Sequence, residues 1–401
     1  MRARGRKMNR FSIHPCIGLQ NFAGAGVRGK GLNEMRRFIL AFIVMASVCS
    51  LTLVAQSASN APEKKKLSSW WYGGYQARPL NSADGKKLPL ISVKGSRFVD
   101  PDGKTLVLRG VNIADPDKID SQGHWSKDLF VKVKETGATV VRIPVHPVAW
   151  RGRGAASYIA LLDQAVQWST DLGMYVDIDW HSIGNLKEGL FQEPIYETNL
   201  QETLNFWRTM AAHYNGNHTV AFFELFNEPT NFSGKLGSMT WDEWRGINEE
   251  MITLIRAYDK ETIPLVAGLD WAYDLAPIRD SPVRAEGIGY VTHPYPNKRK
   301  MPWEAKWEED FGFAAARYPM IATEIGFSEQ YGSKADNDAY ANDITEYFDS
   351  KGISWIVWCF DPEWGPTMIK SWDTFEYTAA GTFFSGEMKA KGSAPAAGTA
   401  K

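Results

Sequence analysis

Short apolar runs alternate with amphipathic segments along most of the chain, and this alternation predicts its secondary structure. Eight runs are rich in β-branched and aromatic residues and have the length of buried strands; they span 105–113, 138–145, 174–180, 220–226, 263–268, 288–293, 320–325 and 353–360. Helical patterns lie between them, at 126–136, 157–172, 200–214, 240–258, 302–318, 336–350 and 378–390. The repeated strand–helix order favours a parallel sheet with helices outside it.

Capping signals support the predicted helix ends. Thr240 and Glu243 form the capping-box pattern that begins a helix. Gly137, Gly173 and Gly352 each follow a helical pattern and precede a strand, as the glycine that ends a helix does. Eight strand–helix units in about 260 residues favour an α/β fold with a single closed (β/α)8 barrel, the TIM barrel. An open, doubly wound sheet is the alternative, but its phosphate-binding glycine motif is missing from the sequence.

The segments that flank the barrel have a different composition. Residues 88–112 carry the turn signals VKGS and PDGK and predict a β-hairpin ahead of the barrel. We therefore place one folded domain at 88–390. Residues 58–87 are predicted to be a linker and N-terminal segment, and the low-complexity tail 391–401 is predicted to be disordered.

The N-terminal part of the chain has the pattern of a secretion signal. The apolar stretch 38–55 follows two arginines and precedes the small residues QSASNA. Met35 stands directly before the arginines, so we infer a signal peptide at 35–57 and a mis-assigned upstream extension at 1–34. A secreted protein, extracellular or periplasmic, without stable membrane insertion is expected. The alternative is an uncleaved anchor at the cell surface, because about 18 apolar residues suffice to span a membrane.

Composition narrows the classes of function. A formal net charge of −1, with no dense basic stripe outside the leader, argues against nucleic acid as a partner. Cys16 and Cys49 leave with the leader, so Cys359 alone remains and no intrachain disulfide can form. Many of the 16 Trp, 15 Tyr and 20 Phe must belong to the core, but this much tryptophan also favours a ligand with flat apolar faces, as sugars have. Nothing indicates a subunit interface, so a monomer is expected.

Polar residues cluster at the predicted carboxyl ends of the strands, where a (β/α)8 barrel carries its active site. Glu228 and Glu324 each end an apolar run just before a strand-breaking residue, and a carboxylate in such a place is costly unless it has a function. Paired carboxylates are what the cleavage of a glycosidic bond requires. The other strand-end residues are Asn112, Arg142, His181, Asn227, Asp270, Trp271, His293, Tyr295 and Trp358.

Some of the inward-facing polar residues have a structural alternative. Arg142 lies between apolar residues and is expected in the site rather than on the surface. Glu224 faces inward but lies below the strand end, so we expect a buried ion pair there, and the same applies to Asp177 and Asp179. His146 is expected only to orient a loop.

Several motifs occur at these strand ends in a characteristic order: LRGVNIA, VVRIPV, DIDWH, FELFNEP, THPY, ATEIGF and the tryptophan of WIVW. Together they resemble glycoside hydrolase family 5, the large family of retaining cellulases and related β-glycanases. The resemblance covers roughly residues 88–390. The loops after the first and third strands match no subgroup, and such loops build distal subsites.

The resemblance implies a role for each matched position. Glu228 is expected to be the acid/base and Glu324 the nucleophile, while Arg142 and Tyr295 contact and orient the nucleophile. The remaining matches are expected to bind the sugar: His181, His293, Asn227 at the 2-hydroxyl, Trp358 as a stacking platform and Trp271 as a more variable wall.

The expected chemistry makes the two carboxyl groups unequal. Glu324 must be ionised to attack, and the Arg142 cation and Tyr295 hydroxyl would favour its charged form. Glu228 must first carry a proton, which the nearby charge of Glu324 favours. The mechanism needs no metal or cofactor, and the sequence shows no His/Cys spacing that would hold a metal.

The resulting expectation is a secreted, retaining endo-β-1,4-glucanase that hydrolyses a β-linked polysaccharide through a covalent glycosyl-enzyme. β-Mannanase, xyloglucanase and xylanase activities remain open as alternatives. A non-catalytic carbohydrate-binding barrel is disfavoured because both glutamates are present. Trp70 and Trp71, ahead of the barrel, are either a packing plug or a distant subsite.

Overall fold

The computed structural model describes Leu80 and residues 88–231 and 234–392 of the 401-residue chain. The predicted upstream extension and signal peptide lie outside the described residues. So do most of the 58–87 segment, with Trp70 and Trp71, and the tail beyond Gly392. Within the described ranges, no helix is both long and apolar enough to cross a membrane.

A small antiparallel sheet precedes the barrel. Its strands are β1 (Ser92–Lys94), β2 (Arg97–Val99) and β3 (Thr105–Leu106), with β2 in the middle. The predicted first barrel strand, 105–113, therefore begins too early. Its first two residues pair with β2, where Phe98 lies opposite Leu106, and the barrel strand starts at Arg109.

Eleven further strands follow within the described residues: β4 (Arg109–Asn112), β5 (Val140–Val145), β6 (Tyr175–Trp180), β7 (Ile183–Asn185), β8 (Leu190–Phe191), β9 (Val220–Glu224), β10 (Glu228–Pro229), β11 (Ile263–Ala267), β12 (Gly289–Val291), β13 (Met320–Ile325) and β14 (Ser354–Val357). β4, β5, β6, β9, β11, β12, β13 and β14 close into a barrel in that order, each parallel to its neighbours. Each predicted strand run contains one of them, so the (β/α)8 barrel is confirmed.

The helices surround this barrel. They are α1 (Pro116–Ser121), α2 (Lys127–Glu135), α3 (Pro147–Arg153), α4 (Ala155–Leu172), α5 (Leu200–Tyr214), α6 (Trp241–Arg256), α7 (Glu304–Asp310), α8 (Lys334–Lys351) and α9 (Ala379–Lys391). The capping box of Thr240 and Glu243 is present at the start of α6. Gly173 and Gly352 end α4 and α8 in the left-handed conformation that favours glycine. The predicted helix 302–318 is instead α7 followed by a 3-10 turn.

The three remaining strands form a second sheet on the carboxyl rim of the barrel, in the order β10-β7-β8. β9 ends at Glu224, earlier than the predicted 220–226, because the chain then leaves β11 and pairs with β7. The backbone amides of Asn227 and Glu228 donate to the carbonyls of Trp180 and Ser182, at 3.1 and 3.0 Å. Glu228 therefore lies on the rim sheet rather than on a barrel strand.

The interior of the barrel changes character along its axis. At the amino-terminal end it is apolar, and Phe98 of the N-terminal sheet packs there on Phe222, with ring centroids 5.1 Å apart. Two residues farther along the same strand faces, Arg142 and Glu224 replace Val140 and Phe222, because alternate side chains of a strand share a face. The charged layer therefore rests on an apolar base.

Candidate active site

Arg142 is the centre of the charged layer and is fully buried. Its Nε and Nη2 donate to the two carboxylate oxygens of Glu224 at 2.7 and 2.8 Å, a bidentate pair. Nη2 also lies 3.0 Å from Asp179 and donates to Oδ1 of Asn227 at 2.7 Å, while Nη1 donates to Glu324 at 2.8 Å. Glu224 and Asp179 thus form the predicted buried ion pairs, and the same guanidinium reaches Glu324. The same expectation for Asp177 was wrong, because its carboxylate forms no ion pair within the described residues.

Glu324 is held at both carboxylate oxygens. Arg142 donates to Oε1, and the Tyr295 hydroxyl donates to Oε2 at 2.8 Å. Both predicted donors are therefore present, yet the pKa of Glu324 is raised above its ordinary value. Burial and the neighbouring Glu228 carboxylate raise this pKa, and they outweigh His293, Arg142 and the tyrosine hydroxyl, which lower it.

Glu228 faces Glu324 across a short gap. One carboxylate oxygen of each glutamate, together with a nitrogen of His293, lies within a set whose atoms are all within 4.8 Å of one another. The Nδ1 of His293 is 3.1 Å from Oε1 of Glu228. Two charged carboxyl groups this close repel each other, and this repulsion is one cause of the raised pKa of Glu324.

His293 lies beneath the two glutamates and carries a positive charge at neutral pH. Burial lowers its pKa, but the charge of Glu324, the Glu224 carboxylate 3.7 Å from Nε2 and the hydrogen bond with Glu228 raise it to about 9. Its Nε2 is 2.9 Å from the Thr323 hydroxyl. Glu228, His293 and Glu324 are spaced as metal ligands would be. The pKa of about 9 favours the protonated imidazole at neutral pH, which can donate to the carboxylates beside it.

Two further predicted residues are oriented by the charged layer. Because Oδ1 of Asn227 accepts from Arg142, its Nδ2 is the free end, and this buried atom has no hydrogen-bond partner within the described part of the chain. His181 is 2.6 Å from Asp179 through Nδ1. Burial, the neighbouring His146 and the Arg142 cation lower the pKa of His181 well below the ordinary value.

A cleft of about 700 Å³ opens above this layer. Seven of the nine predicted site residues line it: His181, Asn227, Glu228, Trp271, Tyr295, Glu324 and Trp358. The other two, Arg142 and His293, lie beneath the carboxylates and contact them. The structure thus brings all nine residues together at the carboxyl end of the barrel.

The description "Cellulase (glycosyl hydrolase family 5)" belongs to a family model that matches residues 99–363. The chain belongs to glycosyl hydrolase family 5. Curated relatives of this family 5 chain include Endoglucanase A of Butyrivibrio fibrisolvens, 28% identical over 229 residues, which cover 54% of this chain and 48% of that protein. The endoglucanase of Clostridium saccharobutylicum is 24% identical, and the match covers 77% of this chain and 66% of that protein.

Solved structures extend the comparison. A β-glucanase from Saccharophagus degradans is 44% identical, with a TM-score of 0.76 over 80% of this chain and 98% of that chain. That protein has also been solved in complex with cellotetraose. By contrast, the chain spans only about half to two thirds of the length of the first two curated relatives, 48% and 66%.

The family 5 cleft also contains residues that the sequence did not single out: Gln192, Tyr196, Asn297, Lys298, Arg299 and Tyr331. Burial and the charges of Glu228 and Glu324 raise the pKa of Tyr196 to about 12. Tyr196 comes from a loop without periodicity, so no sequence signal marked it. Lys298 and Arg299 lie three and four residues after the THPY motif, and this proximity to a strand end was the available signal.

An outer pocket of about 370 Å³ adjoins the cleft and shares its residues His181, Tyr196, Trp358 and Gly365. The ring of Trp358 is nearly parallel to those of His181 and Trp364, with centroids 5.2 and 6.2 Å away. His146 lines this pocket and is held by Asp115 at 2.9 Å. The expectation that His146 only orients a loop was therefore too narrow, because its place on the pocket wall depends on contacts between separate loops.

Proposed function

We propose that this family 5 protein is a retaining endo-β-1,4-glucanase that hydrolyses a β-glucan by double displacement. The separation of the two carboxylates carries this proposal, since facing oxygens of Glu228 and Glu324 lie within 4.8 Å. Retaining enzymes hold their carboxyl groups ~5–5.5 Å apart, whereas inverting enzymes need ~6.5–9.5 Å to admit a water. A bound of 4.8 Å between one oxygen of each glutamate supports the retaining arrangement.

In the first step, a carboxylate oxygen of Glu324 forms a bond to the anomeric carbon while the bond to the leaving sugar oxygen breaks. Arg142 and Tyr295 hold this carboxylate in place by their two hydrogen bonds. Glu228 transfers its proton to the departing oxygen and becomes a carboxylate. Protonated His293 donates to that carboxylate, which stabilises the new charge.

In the second step, Glu324 is esterified and carries no charge. Glu228 then takes a proton from a water molecule, whose oxygen bonds to the anomeric carbon as the ester bond breaks. The free Nδ2 of Asn227 is available to donate to a hydroxyl of the sugar being cleaved. Both glutamates return to their starting states, so one pair serves both steps.

The shape of the cleft supports cleavage within a chain. Trp271 lies on one side of the catalytic pair and Trp358 on the other, and the outer pocket continues beyond Trp358. Aromatic rings offer flat faces for the apolar faces of sugar rings. The cellotetraose complex of the Saccharophagus degradans β-glucanase supports a β-glucan as the substrate class.

Product analysis tests the proposed substrate. The protein is incubated with carboxymethylcellulose, mixed-linkage β-glucan, glucomannan, xyloglucan and xylan, and products are separated with time. We expect the fastest release from a glucan with β-1,4 bonds, with a spread of early product sizes. Faster cleavage of mannan or xylan backbones would contradict the glucanase assignment, and a single early product would contradict endo attack.

We also propose that the enzyme is secreted as a monomer after removal of a signal peptide that begins at Met35. Support comes from the leader pattern and from the polymeric nature of the substrate, which favours action outside the cell. Amino-terminal sequencing of the protein from culture medium should give a first residue near 58. A start within 1–34, or retention in the membrane fraction, would contradict this proposal.

A further inference from the structure

The segment after β11 has a strained backbone. Asp270, Trp271 and Ala272 are consecutive non-glycine residues in the left-handed region, with φ of 58°, 56° and 57°. L-residues avoid this region because Cβ crowds the following carbonyl oxygen, and a run of three is rare. Such a turn persists only when surrounding contacts hold it.

Lys298 supplies the central contact of this turn. Its ammonium donates to the Asp270 carbonyl at 2.7 Å and lies 5.1 Å from the ring centroid of Trp271. Its side chain is 15% exposed, so these contacts are largely shielded from water. At the far tip of the indole, Nε1 of Trp271 donates to Gln192 at 2.9 Å. The tryptophan is thereby held from both the β11 side and the rim-sheet side of the cleft.

Strand order assigns this turn to one half of the cleft. β11 is adjacent to β9, which leads to Glu228, whereas β14 is adjacent to β13, which carries Glu324. The line between the two glutamates therefore separates β11 and β12 from β14, so Trp271 and Trp358 lie on opposite sides of the pair. The hydrogen bond of Trp271 to Gln192, beside the rim sheet that carries Glu228, places Trp271 next to the acid. Because the acid protonates the departing oxygen, the Trp271 side receives the leaving part of the glucan. This step rests on the proposed function.

We propose that Lys298 is a positioning residue for the leaving-group half of the cleft: it holds the strained turn so that Trp271 forms a fixed wall for the first glucosyl unit beyond the cleaved bond. Binding of that glucosyl unit stabilises the transition state only if the Trp271 wall is in place before the substrate arrives. A leaving group too small to reach the wall gains nothing from it.

This difference provides the test. Lys298→Met keeps the aliphatic stem but removes the donor and the charge, and the variant is assayed on cellohexaose and on β-cellobiosyl fluoride, whose leaving group is one atom. We expect kcat/KM on cellohexaose to fall about 10- to 100-fold. Hydrolysis of the fluoride should stay within about 3-fold of wild type, because it makes no contact with the wall.

Two further readouts separate positioning from a general loss of structure. Transfer of the cellobiosyl group to added cellobiose should need a higher acceptor concentration in Lys298→Met, since the acceptor occupies the leaving-group half. Lys298→Arg should restore much of the cellohexaose rate, because guanidinium can also donate and stack. The matched control is Lys306→Met, whose side chain is 53% exposed and pairs only with Glu309 among the contacts described for it; it should behave as wild type.

Equal losses on cellohexaose and the fluoride, or no loss on either, would overturn the role of Lys298 while leaving the proposed function intact. Inactivity of the wild-type protein on both substrates would instead overturn the proposed function. If Lys298→Met fails to fold, Gln192→Ala removes the second contact of Trp271 and should give the same selective loss to a smaller extent. An unselective effect of Gln192→Ala would then reject the proposal.

Discussion

The two glutamates proposed as the catalytic pair are held in different ways. Glu324 lies on barrel strand β13, and separate donors, Arg142 and Tyr295, fix its two oxygens. Glu228 lies on the rim sheet, and the described side-chain hydrogen bond of its carboxyl group is the one with His293. The difference suits the two roles, because a nucleophile must be held at a fixed distance from carbon, whereas an acid/base must exchange its proton with the substrate and with water.

The largest expected effect on activity comes from replacing Glu324 by a neutral residue. Glu324→Gln should lower kcat on β-glucan at least about 10⁴-fold, because no glycosyl-enzyme can form. Binding of cellohexaose, measured by calorimetry, should persist. Glu376→Gln, at an exposed position, is the control. Turnover close to wild type would remove Glu324 from its role.

The same variant tests the raised pKa of Glu324. A carboxyl group whose pKa is raised in the folded protein favours folding most when protonated, and this advantage is lost as pH rises through the folded pKa. Glu324→Gln should therefore have a higher Tm than wild type near pH 7, and the gap should shrink as pH falls through the folded pKa toward the ordinary value of 4.5. A lower Tm of the variant at pH 7 would show that, in the wild type, the ion pairs of Glu324 stabilise the fold more than the burial of its charge destabilises it.

The next effect is expected at the acid/base. Glu228→Gln should lower kcat on β-glucan about 10²- to 10⁴-fold. With an aryl cellobioside that needs no protonation to depart, the first step should proceed and the second should stall. Intact-protein mass spectrometry should then show an added cellobiosyl group. If no adduct accumulates, the two glutamates do not divide the work as proposed.

Removing one of the two donors to Glu324 measures how much that hydrogen bond contributes to kcat. Tyr295→Phe deletes the 2.8 Å hydrogen bond to Oε2 and leaves the Arg142 contact in place. We expect kcat to fall about 10²-fold, the usual order for one oriented donor in an active site. Tyr258→Phe, at an exposed position, is the control. An unchanged kcat would mean that Arg142 alone suffices.

The smallest effect concerns His293, which links the two glutamates. Its pKa rises from 6.5 to about 9 on folding, so its proton stabilises the folded state fully below pH about 6.5, and this stability is lost as pH rises to about 9. The shift corresponds to about 3 kcal/mol at most. Denaturant unfolding of wild type should weaken across this range, and His293→Gln should show a flatter profile. Parallel profiles would contradict the assignment of this charge.

Most of the fold could be predicted because buried strands leave a plain signal. The run at 320–325 is apolar up to Glu324 and ends at a glycine, and it matches β13 at both ends. Helices α1 and α3 were missed because six or seven residues are too few to show a period. The strand at 105–113 was predicted too long because pattern alone cannot show that β3 pairs with β2.

The site could be predicted where its residues end strands and not where loops deliver them. His181, Glu228 and Tyr295 belong to strand-end motifs, and all three line the cleft. Tyr196 and Trp364 reach the site from loops whose paths depend on tertiary contacts. The direction of the Glu324 pKa shift also needed the structure, since sequence names the neighbouring charges but does not measure how far water is excluded.

The N-terminal sheet acts on the catalytic layer from the opposite end of the barrel. Phe98 packs against Phe222 directly below the level of Arg142 and Glu224, so this end of the barrel is filled with hydrocarbon. A medium of low polarisability beneath the charges strengthens every hydrogen bond and ion pair above it. The sheet therefore keeps water, and with it a high dielectric constant, away from the underside of the charged layer. Substitution of Phe98 should therefore change the pKa values of the glutamates more than it changes the binding of sugar.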